Sequence, residues 1–350
     1  MNHDEILAWL REEDESRLND LWELADAARK ENVGDEVHLR GLIEISNYCV
    51  RQCLYCGIRA DNTEIGRYRM TAKEIMDCVR EAVSYGYGTV VLQSGEDYGM
   101  TRDWLADLVR RIKSETDLAV TLSLGERPDE DLIAWKEAGA NRYLLRFETS
   151  DRGLYERIHP ALPGRKSDRF AILRRLKQLG YETGSGVMIG IPGQTYESLT
   201  QDVETFRELD LDMIGVGPYI PHPHTPLGKT TDEAPDQAPN TEEMTYKVVA
   251  LARIVRPDAN IPSTTALATL NPVMGREQGL SRGANVVMPN LTPSKYSMMY
   301  EIYPAKVCMT ETAMGCRCFL QRQIVSMGRV VGGGPGGRRR KARRVAGSAR

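Results

Sequence analysis

The sequence predicts an α/β protein built on a complete (β/α)8 barrel, with a helical extension before the barrel and a tail after it. Short apolar stretches rich in β-branched residues alternate with amphipathic helix patterns along most of the 350 residues. The strand patterns are apolar on both faces, which is typical of parallel strands covered by helices. Eight strand patterns can be counted, each followed by a helix or a helical candidate, and this number favours a closed barrel over an open sheet.

The barrel is predicted to cover residues 37–305. Thr71 is the expected N-cap of its first helix, and Glu74 completes a capping box there. The predicted strands are 37–46, 89–93, 118–124, 142–148, 184–189, 213–220, 261–267 and 285–289. The predicted helices between and around them are 72–85, 102–114, 129–138, 168–179, 196–209, 242–255 and 276–282.

The two ends of the chain differ in character. Residues 1–36 contain two amphipathic helix patterns, 4–12 and 16–30, and are predicted to form a helical extension that packs on the barrel. Residues 306–330 are predicted as a helical segment that contains cysteines. Residues 331–350 are rich in glycine and in basic residues, so we expect a disordered or loosely attached tail.

The composition excludes several classes of protein. No run approaches the ~18 apolar residues of a membrane span, and the acidic N-terminus lacks the profile of a secretory signal. Seven cysteines, an odd number in a chain of this length, favour reduced thiols and metal ligation over a disulfide framework. The net charge of −3 includes a basic cluster at residues 338–344, so the body is acidic and a nucleic-acid partner is disfavoured. We expect a cytoplasmic protein.

A loop with three cysteines follows the first predicted strand. Cys49, Cys53 and Cys56 are spaced C-x3-C-x2-C, and three thiolates on one short loop can hold three irons of a cubane [4Fe–4S] cluster. The fourth iron is then open to a small molecule, as at catalytic metal sites. Tyr55 adds an aromatic face beside the loop. A structural zinc site is the alternative, but it needs a fourth ligand and none lies nearby in the sequence.

Polar and flexible residues lie at the ends of the other predicted strands, where the ligands of a barrel bind. Gly95, after the second strand, lets a ligand approach the backbone, and Glu96 can accept hydrogen bonds from an ammonium group. Further residues at strand ends are Gln93, Ser94, Thr121, Arg146, Glu148, Met213, Thr264, Thr265 and Met288. We therefore expect one binding site at this end of the barrel.

The cysteine spacing and its place after a strand resemble those of the radical S-adenosylmethionine (SAM) enzymes. The resemblance implies that SAM chelates the open iron, that Ser94, Gly95 and Glu96 hold its ammonium group, and that Glu148 contacts the ribose or the sulfonium side. Arg169, at the start of a predicted helix, would pair with the methionine carboxylate. Electron transfer from the reduced cluster would cleave SAM to methionine and a 5′-deoxyadenosyl radical.

Longer stretches resemble one family in particular, the [FeFe]-hydrogenase maturase HydE family. The resemblance covers about residues 33–329 and rests on the segments 34–38, 68–71, 91–97, 120–126, 142–146, 179–184, 190–194, 220–223 and 284–290. The SAM site of the family falls on Tyr55, Gln93, Ser94, Gly95, Glu96, Thr121, Glu148, Arg169 and Met213. Its inner cavity, which binds anionic ligands, falls on Arg146, Thr264, Thr265, Met288, Tyr300 and Tyr303.

The HydE resemblance implies a role in building the di-iron subcluster of the [FeFe]-hydrogenase H-cluster. The implied substrate is a cysteine-bound iron carbonyl cyanide made by the maturase HydG, whose sulfur the radical would attack. Hand-over would be to the scaffold maturase HydF, and the electron donor would be a flavodoxin or ferredoxin. An arginine inside the barrel suits such an anion, because a buried charge needs a partner.

A second iron–sulfur site is a further implication of the resemblance. Some members of the HydE family carry a surface cluster on C-x7-C-x2-C near the C-terminus. Cys308, Cys316 and Cys318 are spaced C-x7-C-x-C, one residue short of that pattern. They are therefore either ligands of a second cluster or free thiols.

Other interpretations of the sequence stay open. One is a radical SAM enzyme of neighbouring chemistry, such as methylornithine synthase or biotin synthase. Another is a non-catalytic iron–sulfur carrier or scaffold, which needs no SAM pocket and so leaves Glu96 and Glu148 unexplained. Cys78 lies inside a helix pattern and is predicted as a small buried residue. His222 and His224, on either side of a proline, are predicted to shape a loop.

Overall fold

The computed structural model describes residues 1–230, 234–305 and 313–338, without the side chains of residues 313–317. Within these residues the chain forms a curled sheet of seven parallel strands in the order β6-β5-β4-β3-β2-β1-β7. The strands are β1 Glu36–Ser46, β2 Thr89–Ser94, β3 Ala119–Ser123, β4 Arg142–Leu144, β5 Glu182–Ile189, β6 Met213–Pro218 and β7 Val286–Val287. The first six confirm predicted strands, although β4 is shorter than expected.

Helices connect the strands and cover the outside of the sheet. They are α1 His3–Arg11, α2 Glu15–Val33, α3 Ala72–Ser84, α4 Arg102–Glu115, α5 Asp129–Glu137, α6 Arg152–Ile158, α7 Arg169–Gln178, α8 Tyr196–Glu208, α9 Glu242–Val255, α10 Thr265–Leu270, α11 Gly275–Ser281, α12 Ser294–Ser297 and α13 Ala313–Ser326. The predicted capping box of α3 is confirmed, because Glu74 N–H donates to Thr71 Oγ1 at 3.3 Å and Thr71 N–H donates to Glu74 Oε2 at 2.9 Å.

The two N-terminal helices pack against α8 and α9 on the outside of the barrel. Ile6 and Leu10 of α1, and Leu21 and Ala25 of α2, have no exposed surface. A fully buried leucine or isoleucine side chain contributes about 1.5–3 kcal/mol relative to an exposed one. Apolar packing therefore holds these helices in place.

The predicted seventh strand, 261–267, is wrong. Thr264 is instead the residue before α10, and no regular strand forms here in the described chain. Asn260 makes an isolated parallel bridge to Met213, and Pro262 makes one to Val286. Pro262 has no backbone N–H, so this segment cannot carry a full ladder of hydrogen bonds. The described strands thus form a curled seven-stranded sheet whose edges meet through isolated bridges.

The tail also departs from the prediction, because residues 330–338 are ordered against the barrel. A short strand β8, Val330–Val331, pairs with the start of β1. Beyond it, the Pro335 carbonyl oxygen accepts from Arg142 Nη2 at 2.8 Å, and that of Gly336 accepts from Arg40 Nη2 at 3.0 Å. Buried arginines at the amino ends of the strands need acceptors, and the tail supplies them. Residues 339–350 lie outside the described part.

Replacing Arg338 with alanine should lower the free energy of unfolding by about 2–3 kcal/mol, somewhat less than for breaking a fully buried pair. Its guanidinium lies 2.8 Å from Asp212, 2.7 Å from Asp258 and 3.1 Å from Asp210. Without it, these three neighbouring carboxylates lose a shared positive charge, and Arg256 pairs with only Asp210 and Asp258. Denaturant unfolding followed by circular dichroism measures the change. Arg110→Ala breaks an exposed ion pair on α4 and should match the wild type. Equal stability of the two variants would contradict this role of the tail.

Candidate functional site

The carboxyl ends of the strands open into one cavity of about 340 Å³ inside the curled sheet. It extends from the cysteine loop down to Arg40 near the amino end of β1. The following predicted site residues all line it: Cys49, Cys53, Tyr55, Cys56, Gln93, Ser94, Gly95, Glu96, Thr121, Arg146, Glu148, Arg169, Met213, Thr264, Thr265, Met288, Tyr300 and Tyr303. The structure thus brings together residues that are more than 250 positions apart in the chain.

Backbone hydrogen bonds hold the cysteine loop against its neighbours. Val50 N–H donates to the Glu96 carbonyl at 3.0 Å, Leu54 N–H donates to the Ile158 carbonyl at 2.8 Å, and Gly57 N–H donates to the Ile302 carbonyl at 3.0 Å. These acceptors come from segments after β2, in α6 and near the end of the barrel region. The position of the loop is therefore set by tertiary contacts.

Gly95 allows the end of β2 to touch the cysteine loop. A Cβ atom on this residue would lie 2.3 Å from the Tyr48 carbonyl oxygen and 2.8 Å from the Cys49 Cβ. Both distances are too short for any side chain. The glycine predicted to admit a ligand is thus needed for the close packing of strand and loop.

The three cysteine residues line the upper wall of the cavity, Cys53 buried and Cys49 and Cys56 half-buried. Burial raises the pKa of the Cys56 thiol to about 12, and it also raises those of Cys49 and Cys53. Among the residues that the structure describes, no three His, Cys, Asp or Glu side chains are grouped closely enough to hold a single metal ion. As a donor set, three thiols on one wall fit the protein ligands of a cubane cluster, which binds thiolates and displaces their protons.

A chain of charged side chains lies behind the loop. Arg51 pairs with Glu96 at 2.9 Å and with Glu126 at 2.8 Å, and Arg169 pairs with Glu126 at 3.1 Å. All four side chains are at least nine-tenths buried. Glu96, predicted to hold an ammonium group, therefore already has a cationic partner in Arg51.

Glu148 is the most constrained of the predicted residues. Its φ of 64° lies in the left-handed region, which is uncommon for a residue other than glycine. Its Oε2 atom is buried without a hydrogen-bond partner among the described residues and lies 3.6 Å from Arg146 Nε. Thr121 Oγ1 is likewise buried without a partner in that part of the chain. Polar atoms buried on a cavity wall are available to form hydrogen bonds with a polar ligand.

The lower part of the cavity is cationic and aromatic. Arg40 Nη1 lies 3.0 Å from Met213 Sδ, and burial together with nearby Arg142 lowers the pKa of Arg40 to about 9. Gln93 Nε2 lies 3.3 Å from the Tyr300 hydroxyl oxygen. Met213, predicted at the SAM site, thus touches an arginine at the other end of the cavity.

Sequence reasoning missed several residues of the cavity wall. Arg51 lies within the cysteine loop and lines the cavity. Glu126, its ion-pair partner behind the wall, lies two residues after the third predicted strand, so both positions gave a signal in the sequence. His159 has no such signal, since its place beside Cys53 depends on how α6 packs. Arg40 lies at the amino end of a strand, where a barrel is not expected to bind ligands.

The remaining cysteines and histidines lie elsewhere. Cys308 and the side chain of Cys316 lie outside the described residues, and Cys318 is exposed. Cys78 is buried in α3, as predicted. His222 is buried in its loop, with Nε2 3.8 Å from Glu301.

Comparison with known proteins identifies the family. The family model of the Radical SAM superfamily matches residues 43–206. The chain is 48% identical over 320 residues to the [FeFe] hydrogenase maturase subunit HydE of Thermotoga maritima, and the match covers 91% of this chain and 89% of that protein. The chain belongs to the HydE family. It is a radical SAM enzyme, and the family implies a [4Fe–4S] cluster and SAM as its cofactors.

Relatives of the HydE family share the fold. The chain is 31% identical to a 3-methylornithine synthase of Methanosarcina acetivorans, over 82% of this chain and 79% of that protein. A crystal structure of methylornithine synthase matches with a TM-score of 0.79 and 25% identity, covering 95% of this chain and 94% of the other. In the described residues, no helix is long and apolar enough to cross a membrane.

Proposed function

We propose that this chain cleaves SAM reductively at its cysteine site and uses the product radical in assembling the di-iron subcluster of the [FeFe]-hydrogenase H-cluster. The observation that carries the proposal is a cavity lined by three cysteine thiols and by Glu148 and Thr121, whose buried Oε2 and Oγ1 atoms make no hydrogen bond in the described part of the chain. The 48% identity to a HydE maturase subunit supports the assembly role.

Cys49, Cys53 and Cys56 would hold the cluster, and the backbone N–H of Glu96 donates to Cys49 Sγ at 3.4 Å. When bound, the cluster supplies the electron that cleaves SAM to methionine and a 5′-deoxyadenosyl radical. Gly95 keeps the loop close to β2, and the buried walls exclude water from the reactive site.

The chain's polar groups would orient SAM. The unpartnered Oε2 of Glu148 suits the ribose hydroxyls, and the Thr121 hydroxyl can complete a further hydrogen bond. Arg169 and Arg51 place positive charge where the methionine carboxylate would lie, and Arg51 Nη1 has no hydrogen-bond partner in the described chain. The other proposed SAM contacts are Tyr55, Gln93, Ser94 and Glu96, whereas Met213, which lies against Arg40, would face the deeper part of the cavity.

The deeper part of the cavity suits an anionic substrate. The Arg146 side chain is about one-third exposed, and its Nε makes no hydrogen bond in the described residues, so its positive charge can attract a negative ligand. The proposed substrate is the cysteine-bound iron carbonyl cyanide made by HydG, contacted by Thr264, Thr265, Met288, Tyr300 and Tyr303. Delivery of the product to HydF, reduction by a flavodoxin or ferredoxin, and a cytoplasmic location complete the proposal.

We also propose that the curled sheet is closed into a complete barrel. Asn260 and Pro262 bridge to β6 and β7, and residues 260–262 would occupy the position of the remaining strand. The barrel would then enclose the cavity on all sides. This support comes from isolated bridges on both edges of the segment.

Replacing Gly95 with alanine should remove most of the cluster iron, because the added Cβ would displace the cysteine loop. Iron and sulfide content after anaerobic reconstitution measures the loss. Gly153→Ala is the matched control, since a Cβ there would meet only Asp151 Oδ1, at an ordinary 3.5 Å. Full iron content in the Gly95 variant would show that the loop can move without losing the cluster.

A second cluster on Cys308, Cys316 and Cys318 is tested by one substitution. Their spacing is shorter than the family pattern, so we expect Cys318→Ser to keep the iron content of the wild type, about four atoms per chain for one cubane. Iron analysis together with Mössbauer spectroscopy measures it. A wild type with about eight iron atoms that falls to about four in the variant would establish the second cluster.

The second candidate function is another radical SAM reaction, of the methylornithine synthase type. The observation that favours it is the fold match over nearly the whole of both chains. An iron–sulfur carrier is a weaker candidate, because a carrier does not need the unpartnered Glu148 and Thr121 atoms in the cavity.

The test is an anaerobic assay of the reconstituted protein. The reduced protein is mixed with SAM, and 5′-deoxyadenosine is measured together with the EPR spectrum of the cluster. Deoxyadenosine and a SAM-shifted [4Fe–4S]⁺ signal are expected, with stimulation by the HydG product and without formation of methylornithine. A cluster that neither shifts nor cleaves SAM would favour the carrier.

A further inference from the structure

We propose that His159 donates a hydrogen bond from Nδ1 to the sulfur of Cys53, and that this bond sets the reduction potential of the cluster that Cys53 helps to hold. The inference rests on the proposed function, since it needs an iron–sulfur cluster on the cysteine loop. His159 acts through Cys53 and is therefore a positioning residue.

The contact between the two side chains is short and enclosed. His159 Nδ1 lies 3.0 Å from Cys53 Sγ, and the His159 side chain has no exposed surface. The backbone fixes both partners, because His159 N–H donates to the Tyr155 carbonyl at 2.8 Å and Leu54 N–H donates to the Ile158 carbonyl at 2.8 Å. Each hydrogen bond involves one of the two residues or its immediate neighbour. The fold thus builds the histidine–sulfur contact.

The surroundings of the imidazole decide where its proton lies. A thiolate only accepts hydrogen bonds, so the contact with an iron-bound sulfur requires the proton on Nδ1. Arg169 has only donors, and its Nη2 lies 3.1 Å from His159 Nε2 and 3.4 Å from Nδ1. With the proton on Nδ1, the lone pair on Nε2 faces this donor at the shorter of the two distances. Glu126 Oε1, at 3.4 Å from Nε2, is farther away than the arginine.

One neutral tautomer of the ring meets both contacts. A neutral imidazole with its proton on Nδ1 satisfies both Cys53 and Arg169 at once. The hydrogen bond to sulfur therefore adds no net charge beside the cluster.

A donor at a ligand sulfur stabilises the more negative, reduced state of the cluster. Hydrogen bonds to the sulfurs are among the terms that set cluster potentials, and second-shell partners of metal ligands act in this way. Loss of the donor should therefore make the potential more negative. A more negative cluster is harder for an electron donor to reduce.

Two variants of the full-length reconstituted protein test the inference. His159→Phe keeps an aromatic ring but removes the donor, and His159→Asn returns an N–H near the position of Nδ1. An EPR-monitored redox titration should give a more negative midpoint for the Phe variant and an intermediate one for the Asn variant. His224→Phe, at an exposed histidine, is the control and should keep the midpoint of the wild type. ENDOR of the reduced wild type should show an exchangeable proton that His159→Phe lacks.

The outcomes distinguish failure of the proposed function from failure of the inference about His159. A wild type that binds no cluster overturns the proposed function and the inference together. A wild type with a cluster whose midpoint is unchanged in both His159 variants overturns the inference alone. If the Phe variant does not assemble a cluster, the wild-type ENDOR spectrum and the Asn variant decide. The hydrogen bond is then rejected if the exchangeable proton is absent. It is also rejected if the Asn variant and a His159→Leu variant both keep the midpoint potential of the wild type.

Discussion

Replacing Cys49 with alanine should reduce SAM cleavage to the level of a protein-free control. Only Cys53 and Cys56 would remain as ligands, and an iron that has lost its thiolate is no longer held in the cubane. The Cys49 sulfur is also the acceptor for the Glu96 N–H, so the substitution removes a contact between loop and β2. The measurements are 5′-deoxyadenosine formation and the [4Fe–4S]⁺ EPR signal after anaerobic reconstitution and reduction.

Cys78 supplies the matched control for this experiment. It is another buried cysteine, but it lies in α3, and burial raises the pKa of its thiol to about 12. Cys78→Ala removes one buried sulfur at a cost of about 1 kcal/mol in stability and should keep SAM cleavage. Wild-type cleavage by the Cys49 variant would refute the assignment of the cluster to this loop. Equal losses in both variants would point to a general effect of removing a buried thiol.

Replacing Arg146 with alanine should leave SAM cleavage but lower hydrogenase maturation by about a hundredfold or more. A hundredfold corresponds to about 3 kcal/mol, which lies within the range found for losing a close contact between opposite charges. The arginine donates to the Val187 carbonyl, and its Nε lies 3.6 Å from Glu148 Oε2. It therefore places a cation deep in the cavity, where an anionic substrate would lie. In vitro maturation of apo-hydrogenase and uncoupled deoxyadenosine formation measure the two effects.

A conservative variant and a surface control accompany the Arg146→Ala experiment. Arg146→Lys keeps a positive charge but not the planar fork, so it should recover part of the maturation activity. Arg175→Ala breaks a surface ion pair between Arg175 of α7 and Asp129 of α5. This variant should behave as the wild type in both assays. Full maturation by Arg146→Ala would refute the anion-binding role. Loss of uncoupled SAM cleavage as well would show that Arg146 acts mainly through Glu148.

The candidate site was predictable to a large extent because its residues lie at strand ends. In a parallel curled sheet, the carboxyl ends of successive strands converge, so residues far apart in sequence become neighbours. This rule predicts that one cavity is lined by Cys49, Ser94, Thr121, Glu148 and Met288, and the structure confirms it. The rule does not apply to helix ends or to the amino ends of strands. His159 follows the last residue of α6 and Arg40 lies near the amino end of β1, so neither was predicted.

The fold was less predictable where local patterns compete with long-range contacts. The apolar run after Asn260 has the composition of a strand, but Pro262 interrupts the ladder and α10 begins at Thr265. The glycine-rich tail has the composition of a disordered segment. Its carbonyl groups nevertheless meet buried arginines that no local signal connects to it.

The sequence by itself determined the alternating order of helices and strands, the cysteine loop and the polar strand ends. These features depend on periodicity and on spacing along the chain, which local propensity and the direction of side chains control. Only the tertiary structure decided the pairing of Arg51 with Glu96 and Glu126, the ordering of the tail and the contact of His159 with Cys53. The partners in these contacts lie far apart in sequence, and their distances are set by packing of the whole barrel.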